Sequence, residues 1–193
     1  MPFKLNHRNS LLILGVGVLL VPCLLWFLLC KAHKVTTTNM MPTVMIGDLV
    51  YAEKLSYKIR EPKRGEIVLF ETHAVPAVAK RRLYIARLIG IPKDNIRFDP
   101  PNLIVNRKKL LVPQIFEKIT LCQQGYEGFL LPDSEKSGVI MITKTNEIQL
   151  GEYEYFVVGD NMKSSFDSRY WGALPKQNII GRVIGLFRNL DPY

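Results

Sequence analysis

The chain opens with an unbroken apolar run: from residue 11 to residue 30 every position is apolar, Gly or Pro. At about 1.5 Å of rise per helical residue, such a run matches the ~30 Å hydrocarbon core of a bilayer, so it predicts a transmembrane helix. A cleaved signal peptide fits less well, because the run exceeds the usual ~7–15 residues and no small-x-small site follows in Leu28-Leu29-Cys30-Lys31-Ala32. Beyond residue 30 the pattern changes to short apolar or alternating stretches punctuated by Pro, Gly and Asn, with no sustained helical period. Strands are expected over residues 49–51, 65–70, 82–91, 139–143, 148–150, 155–158 and 182–188. Residues 95–98 and 103–105 flank Pro100-Pro101-Asn102 and predict a hairpin. Residues 36–38, three consecutive threonines, read as an extended stretch before a break at Pro42 and a turn at Gly47-Asp48. The expected fold class is all-β after one N-terminal transmembrane helix. The expected organisation is a cytoplasmic N-terminus over 1–10, the span over 11–30 and an extracytoplasmic β domain over 36–193. Residues 111–137 show no sustained period and carry Gly125, Gly128 and Pro132. They read as an accessory insertion.

With 193 residues the chain is long enough for one domain with a real core plus an accessory segment. Its formal net charge of +9 suits a protein held at an anionic surface, which makes membrane lipid the expected partner. The basic residues are scattered, with runs only at Lys80-Arg81-Arg82 and Arg107-Lys108-Lys109, and they are not interleaved with aromatics, so no nucleic acid is expected. Lys4, Arg8 and the terminal amine outweigh Lys31 and Lys34 only slightly, which favours a cytoplasmic N-terminus. Of the three cysteines, Cys23 and Cys30 fall in the apolar run, leaving Cys122 without an intramolecular partner in the β domain. His7, His33 and His73 have no metal-ligand spacing and read as solvated or interface histidines. No metal or cofactor is expected.

Four stretches carry a likeness. Asn39-Met40-Met41-Pro42-Thr43, followed by Gly47-Asp48, resembles the nucleophile segment of type I signal peptidases, Ser-Met-x-Pro-Thr and then Gly-Asp. Arg64-Gly65-Glu66-Ile67-Val68-Leu69-Phe70 and Tyr84-Ile85-Ala86-Arg87-Leu88-Ile89-Gly90-Ile91-Pro92 resemble two strands of that family. Gly159-Asp160-Asn161 with Ser165-Phe166-Asp167-Ser168-Arg169-Tyr170-Trp171-Gly172 resembles its closing segment. Four matches in order, from residue 36 to residue 172, outweigh any one of them. The resemblance implies a signal-peptidase-like antiparallel β domain, anchored in the cell membrane by a single span.

The family's chemistry needs a serine hydroxyl and a lysine whose pKa is brought down from ~10.4 by apolar burial, so that it can accept the hydroxyl proton. The resemblance sets these two positions on Asn39 and Ala86. A carboxamide is not a useful nucleophile and a methyl group takes no proton. The supporting shell is largely kept: Ser165 matches the serine that hydrogen-bonds the lysine, Asp167 and Arg169 match an ion pair bracing the site, and Thr37 matches an oxyanion-binding position. Asp160, Asp167 and Arg169 also read simply as charges that tie a turn to the sheet. Met162 and Lys163 depart from the family's Arg-Asp. The resemblance makes Met40, Met41, Pro42, Tyr84 and Ile85 the expected peptide-binding residues, the first three in a loop facing the strand that holds the others; Met40 and Met41, with Val44, Met45 and Ile46, read equally as simple core packing. Thr37 and Thr38 offer hydroxyls and Lys54, His73 and Lys80 offer bases that could stand in for the missing pair, but Thr38 faces away from Asn39 on an extended strand, Thr37 sits two residues off, and no base lies at the family position.

The sequence therefore points to a membrane-anchored, non-catalytic homologue, similar to the signal-peptidase-like proteins of pilus assembly, that binds an extended segment of a secreted preprotein or pilin-like client. The alternative is an active signal peptidase with a relocated pair, or an active parent carrying engineered changes at Asn39 and Ala86.

Overall fold

The computed structural model describes residues 30–73, 82–131 and 147–189. The expected span over 11–30 lies, except for Cys30, outside the described residues, as does the expected strand over 139–143. Among the described residues no helix is long and apolar enough to cross a membrane.

Among the described residues eleven strands form two antiparallel sheets. They are β1 (Cys30–Lys34), β2 (Leu49–Glu53), β3 (Ile67–Glu71), β4 (Leu83–Gly90), β5 (Asn95–Asp99), β6 (Asn102–Val105), β7 (Lys108–Lys109), β8 (Ile148–Gln149), β9 (Glu154–Val158), β10 (Leu174–Pro175) and β11 (Ile179–Phe187). The larger sheet runs β1-β2-β11-β3-β4-β9-β10 and the smaller β7-β6-β5-β8. Three short helices, α1 (Ser56–Ile59), α2 (Gln114–Thr120) and α3 (Ser168–Trp171), join them. The structure is thus mostly β and antiparallel, as the short alternating stretches predict. The expected hairpin is the β5–β6 pair, with Phe98 opposite Leu103.

One local expectation is corrected. Cys30 does not close a helix but opens β1, pairing with Glu53 of β2; β1 is an outer strand of polar sequence, CKAHK, so no apolar alternation announced it. After Lys34 the chain leaves the sheet and bends at Thr38 into a turn, closed by Met41 N to Thr38 O at 3.1 Å and Val44 N to Met40 O at 2.9 Å.

β4 organises the core because its two faces are both covered. Ala86 and Leu88 pack with Val68, Phe70, Tyr155 and Trp171, while Ile85 packs with Met40, Val44, Val50 and Leu69 on the opposite side. Farther along, Ile89 joins a third cluster with Ile96, Phe98, Leu103 and Phe156. The stretch expected to be an accessory insertion contributes Phe116, Ile119, Tyr126 and Phe129 to that same cluster, with Phe116 and Phe129 fully buried. Burying each such side chain stabilises the fold by about 1.5–3 kcal/mol, so residues 111–131 are part of the core.

Candidate functional site

The 38–43 turn sits where β9 leaves the edge of β4. Strand pairing there ends at Arg87 opposite Val158. Past that point Asn39 takes over: its Nδ2 donates to Ile85 O at 2.7 Å, its Oδ1 accepts from Thr37 Oγ1 at 2.5 Å, and its backbone carbonyl accepts from Asn161 N at 2.9 Å. Asn161 Nδ2 adds a bond to Thr38 O at 3.1 Å. Asn39 is only 8% exposed, and both ends of its carboxamide are occupied.

Ala86 follows Ile85 directly and points to the other face, where it is 2% exposed among Phe70, Tyr155 and Trp171. A lysine here would be buried in apolar surroundings, the setting that lowers an ammonium pKa. Ser165 is also buried, and it lies against Gly159 beside the Asn39 carbonyl: a Cβ on Gly159 would collide with the Ser165 side chain and with Asn39 O. Glycine at 159 is what lets the 38–43 turn and the Ser165 loop close on the end of β9. The structure therefore brings Thr37, Asn39, Ser165 and the backbone beside Ala86 to one place. Among the described residues, no lysine or histidine hydrogen-bonds Thr37, Asn39 or Ser165. Lys54 is exposed, His73 is exposed beside Glu71, and Lys80 lies outside the described residues.

The charged residues form two separate clamps. Asp167 caps α3 and holds Arg169 through both carboxylate oxygens, Nε to Oδ1 at 2.8 Å and Nη2 to Oδ2 at 2.9 Å. Asp167 Oδ2 also accepts from Gly159 N at 2.9 Å. Arg169 is completely buried and spends its remaining donors on Leu130 O and Met162 O. Asp160 instead faces Arg87, Nε to Oδ1 at 2.7 Å and Nη2 to Oδ2 at 2.6 Å, and Arg87 Nη1 reaches Gly65 O at 2.8 Å. Burial acts to lower the Arg87 pKa, but Asp160 outweighs it and the pKa is raised, so this cation is fixed. Thr43 Oγ1 donates to Asp160 Oδ2 and lies 2.8 Å from Tyr126 OH; its one proton is spent on Asp160, so Tyr126 is the donor. Sequence reasoning quoted Arg87 and Thr43 within motifs without giving them a role, and it passed over Tyr126, which sits in a stretch with no periodic signal. Met162 is buried, and Lys163 pairs with Glu127 at 2.7 Å on the surface.

A groove of about 260 Å³ opens beside Asn39, walled by residues 33–37 on one side and Leu83, Tyr84 and Ile85 on the other, with Val50 and Leu69 beneath. Of the expected peptide-binding residues, Tyr84 and Ile85 line it. Met40 does not: it is fully buried beneath the turn, since the apolar face of the 38–44 turn is needed to cover Val50 and Leu69. Met41 and Pro42 are half-buried at the turn, with Pro42 near Gly125. His33, expected as a solvated or interface histidine, is half-buried. Its Nε2 is buried without a hydrogen-bond partner among the described residues, and burial, then Lys31 and Lys54, lower its pKa. Among the described residues no group of His, Cys, Asp and Glu is arranged to hold a metal ion.

Residues 8–187 match the family described as signal peptidase, peptidase S26. Among similar proteins, signal peptidase I of Bacillus caldolyticus is 31% identical over 151 residues, covering 78% of this chain and 75% of the relative. Signal peptidase I V of Bacillus subtilis is 30% identical over 153 residues, covering 78% and 82%. A protein named "Probable signal peptidase I-2" from Synechocystis sp. is 32% identical over 158 residues; the match takes in 81% of this chain but 62% of that longer protein. A solved signal peptidase I from Enterococcus faecalis overlays 65% of this chain and 99% of its own, with a TM-score of 0.46 and 24% identity.

Proposed function

The chain belongs to the signal peptidase family, peptidase S26, and from that premise we propose that it is a non-catalytic member, which binds an extended segment of a secreted or surface protein without cutting it. The observation that carries the proposal is the state of the two reacting positions. Asn39 offers a carboxamide with both ends hydrogen-bonded, and Ala86 offers a methyl group sealed among aromatic side chains. Neither supplies a nucleophile or a proton acceptor, and among the described residues no lysine or histidine hydrogen-bonds Thr37, Asn39 or Ser165. In a serine protease of another fold, loss of the catalytic set costs about 10⁶ in turnover.

What remains supports binding. The edge of β4 beside Asn39 has lost its partner strand and faces a groove with an apolar floor. Such an edge pairs with an extended peptide through main-chain hydrogen bonds, and pockets for alternate side chains supply selectivity. Thr37, Ser165, Asp160, Asp167 and Arg169 are proposed as the shell that keeps the groove's end rigid, while Tyr84 and Ile85 are proposed contacts. The proposed setting is the cell membrane, with residues 11–29 as a single span and the β domain outside the cytoplasm. The proposed client is a secreted preprotein or a pilin-like segment in extended form.

The deciding experiment incubates the full chain, in detergent, with a preprotein substrate. No cleavage product and measurable complex formation are expected. Cleavage at a signal-peptide site by the unmodified chain would overturn the non-catalytic reading.

A further inference from the structure

A groove that pairs with a peptide backbone needs free backbone groups along its wall, and here one of them is already occupied. Leu88 exchanges both of its backbone groups with the β3 side, Gly65 N to Leu88 O at 2.7 Å and Leu88 N to Glu66 O at 2.8 Å. Backbone groups alternate sides along a strand, so Ile85 and Leu83 turn theirs to the opposite edge. β9 covers that edge only as far as Arg87. The next acceptor along it is Ile85 O, and Asn39 Nδ2 fills it at 2.7 Å. A side-chain carboxamide has the same donor and acceptor as a peptide group, so Asn39 makes the bond that the N–H of an added strand would make. Thr37 holds the other end of the carboxamide in place.

We propose that Asn39 is a latch on the groove: its carboxamide occupies the first acceptor on the open edge of β4, and an extended client pairs fully with that edge only after Asn39 swings away. This rests on the reading of the groove as a peptide-binding site. A residue with no part in the chemistry of cutting thereby sets how tightly, and in which register, the groove accepts a backbone. Removing the latch tightens binding by about 2- to 10-fold, the equilibrium factor of one net hydrogen bond.

The test titrates the full chain in detergent micelles with a fluorescein-labelled synthetic signal peptide, followed by anisotropy, for the wild type, Asn39→Ala and Asn39→Asp. Aspartate keeps the shape and still accepts from Thr37 but has no N–H for Ile85 O. Tighter binding by both variants supports the latch. Wild-type binding that neither variant improves overturns the latch and leaves the peptide-binding reading standing. Absence of binding by all three overturns both. Because a variant can fail to fold, selective ¹⁵N labelling of asparagine in the wild type gives an independent readout: the Asn39 side-chain amide resonances shift on peptide addition if the latch opens. Resonances unmoved by saturating peptide overturn it.

Discussion

Tyr126 donates its phenolic hydroxyl to Thr43 Oγ1 at 2.8 Å, and through that bond a segment with no readable sequence pattern reaches the turn that carries Asn39. Gly125, one residue earlier, lies against Pro42. The 111–131 segment is therefore fastened at two levels, by Phe116 and Phe129 in the core and by Tyr126 at the site.

The two levels separate on mutation. Tyr126→Phe keeps the ring packing and loses one hydrogen bond, so it should cost about 1 kcal/mol. Phe129→Ala empties a fully buried site and should cost about 3–5 kcal/mol. Urea unfolding of the two variants measures the difference; equal and small losses would mean that the segment is a surface appendage.

Arg87 and Asp160 are 7% and 1% exposed in their side chains, so the pair is out of water. Asp160→Asn leaves a buried guanidinium without its counter-charge and should destabilise the domain by about 3–5 kcal/mol. The same change at Glu127, whose partner Lys163 is 65% exposed, should be near neutral. A loss of less than about 1 kcal/mol at Asp160, by denaturant midpoint, would show that water reaches the pair.

Asn39→Ser alone restores a hydroxyl with no base beside it, and no preprotein cleavage is expected. Asn39→Ser with Ala86→Lys places the ammonium in the apolar pocket of Phe70, Tyr155 and Trp171, where burial lowers its pKa, and detectable cleavage is expected. Preprotein processing followed on gels reads both. Cleavage by the single variant would reveal a base that the present geometry does not supply.

Glu66 carries a pH dependence. Burial acts to raise its pKa, but hydrogen bonds from Arg60, the Lys63 N–H and Tyr57 outweigh it and hold the carboxylate below the ordinary range for glutamate. A carboxylate with a depressed folded pKa stabilises the fold above its unfolded pKa, and that contribution is lost as pH falls through the folded value. Glu66→Gln should therefore lower the melting temperature at neutral pH and flatten its fall between about pH 5 and about pH 3. Parallel curves for wild type and variant would remove Glu66 from the account.

The parts legible in the sequence were those with strong local signals. The hairpin, β3, β4 and β9 are short, apolar and bounded by turn residues, and each was expected within a residue or two of where it lies. The family resemblance is what set Thr37, Asn39, Ser165 and Ala86 at one site; in the structure Asn39 bonds Thr37 and Ile85 O, and its carbonyl lies near Ser165. β1 escaped notice because an outer strand of polar residues has no buried face to pattern it. Tyr126 was passed over and the burial of Met40 was left open for a related reason. A single residue's burial depends on which loop folds over it, and neither periodicity nor motif spacing carries that information.

Among the described residues β11 is the last strand, yet it lies inside the larger sheet, hydrogen-bonded to β2 on one side and β3 on the other. Among those residues the two halves of that sheet meet only through it. Synthesis must therefore pass residue 187 before the sheet can close, and until then the earlier strands wait with β2 and β3 edges unsatisfied. The time spent in that state, rather than the stability of the finished fold, sets the chain's exposure to proteases and aggregation. Nascent chains stalled before residue 179 should be digested readily, and those extended past residue 187 should resist.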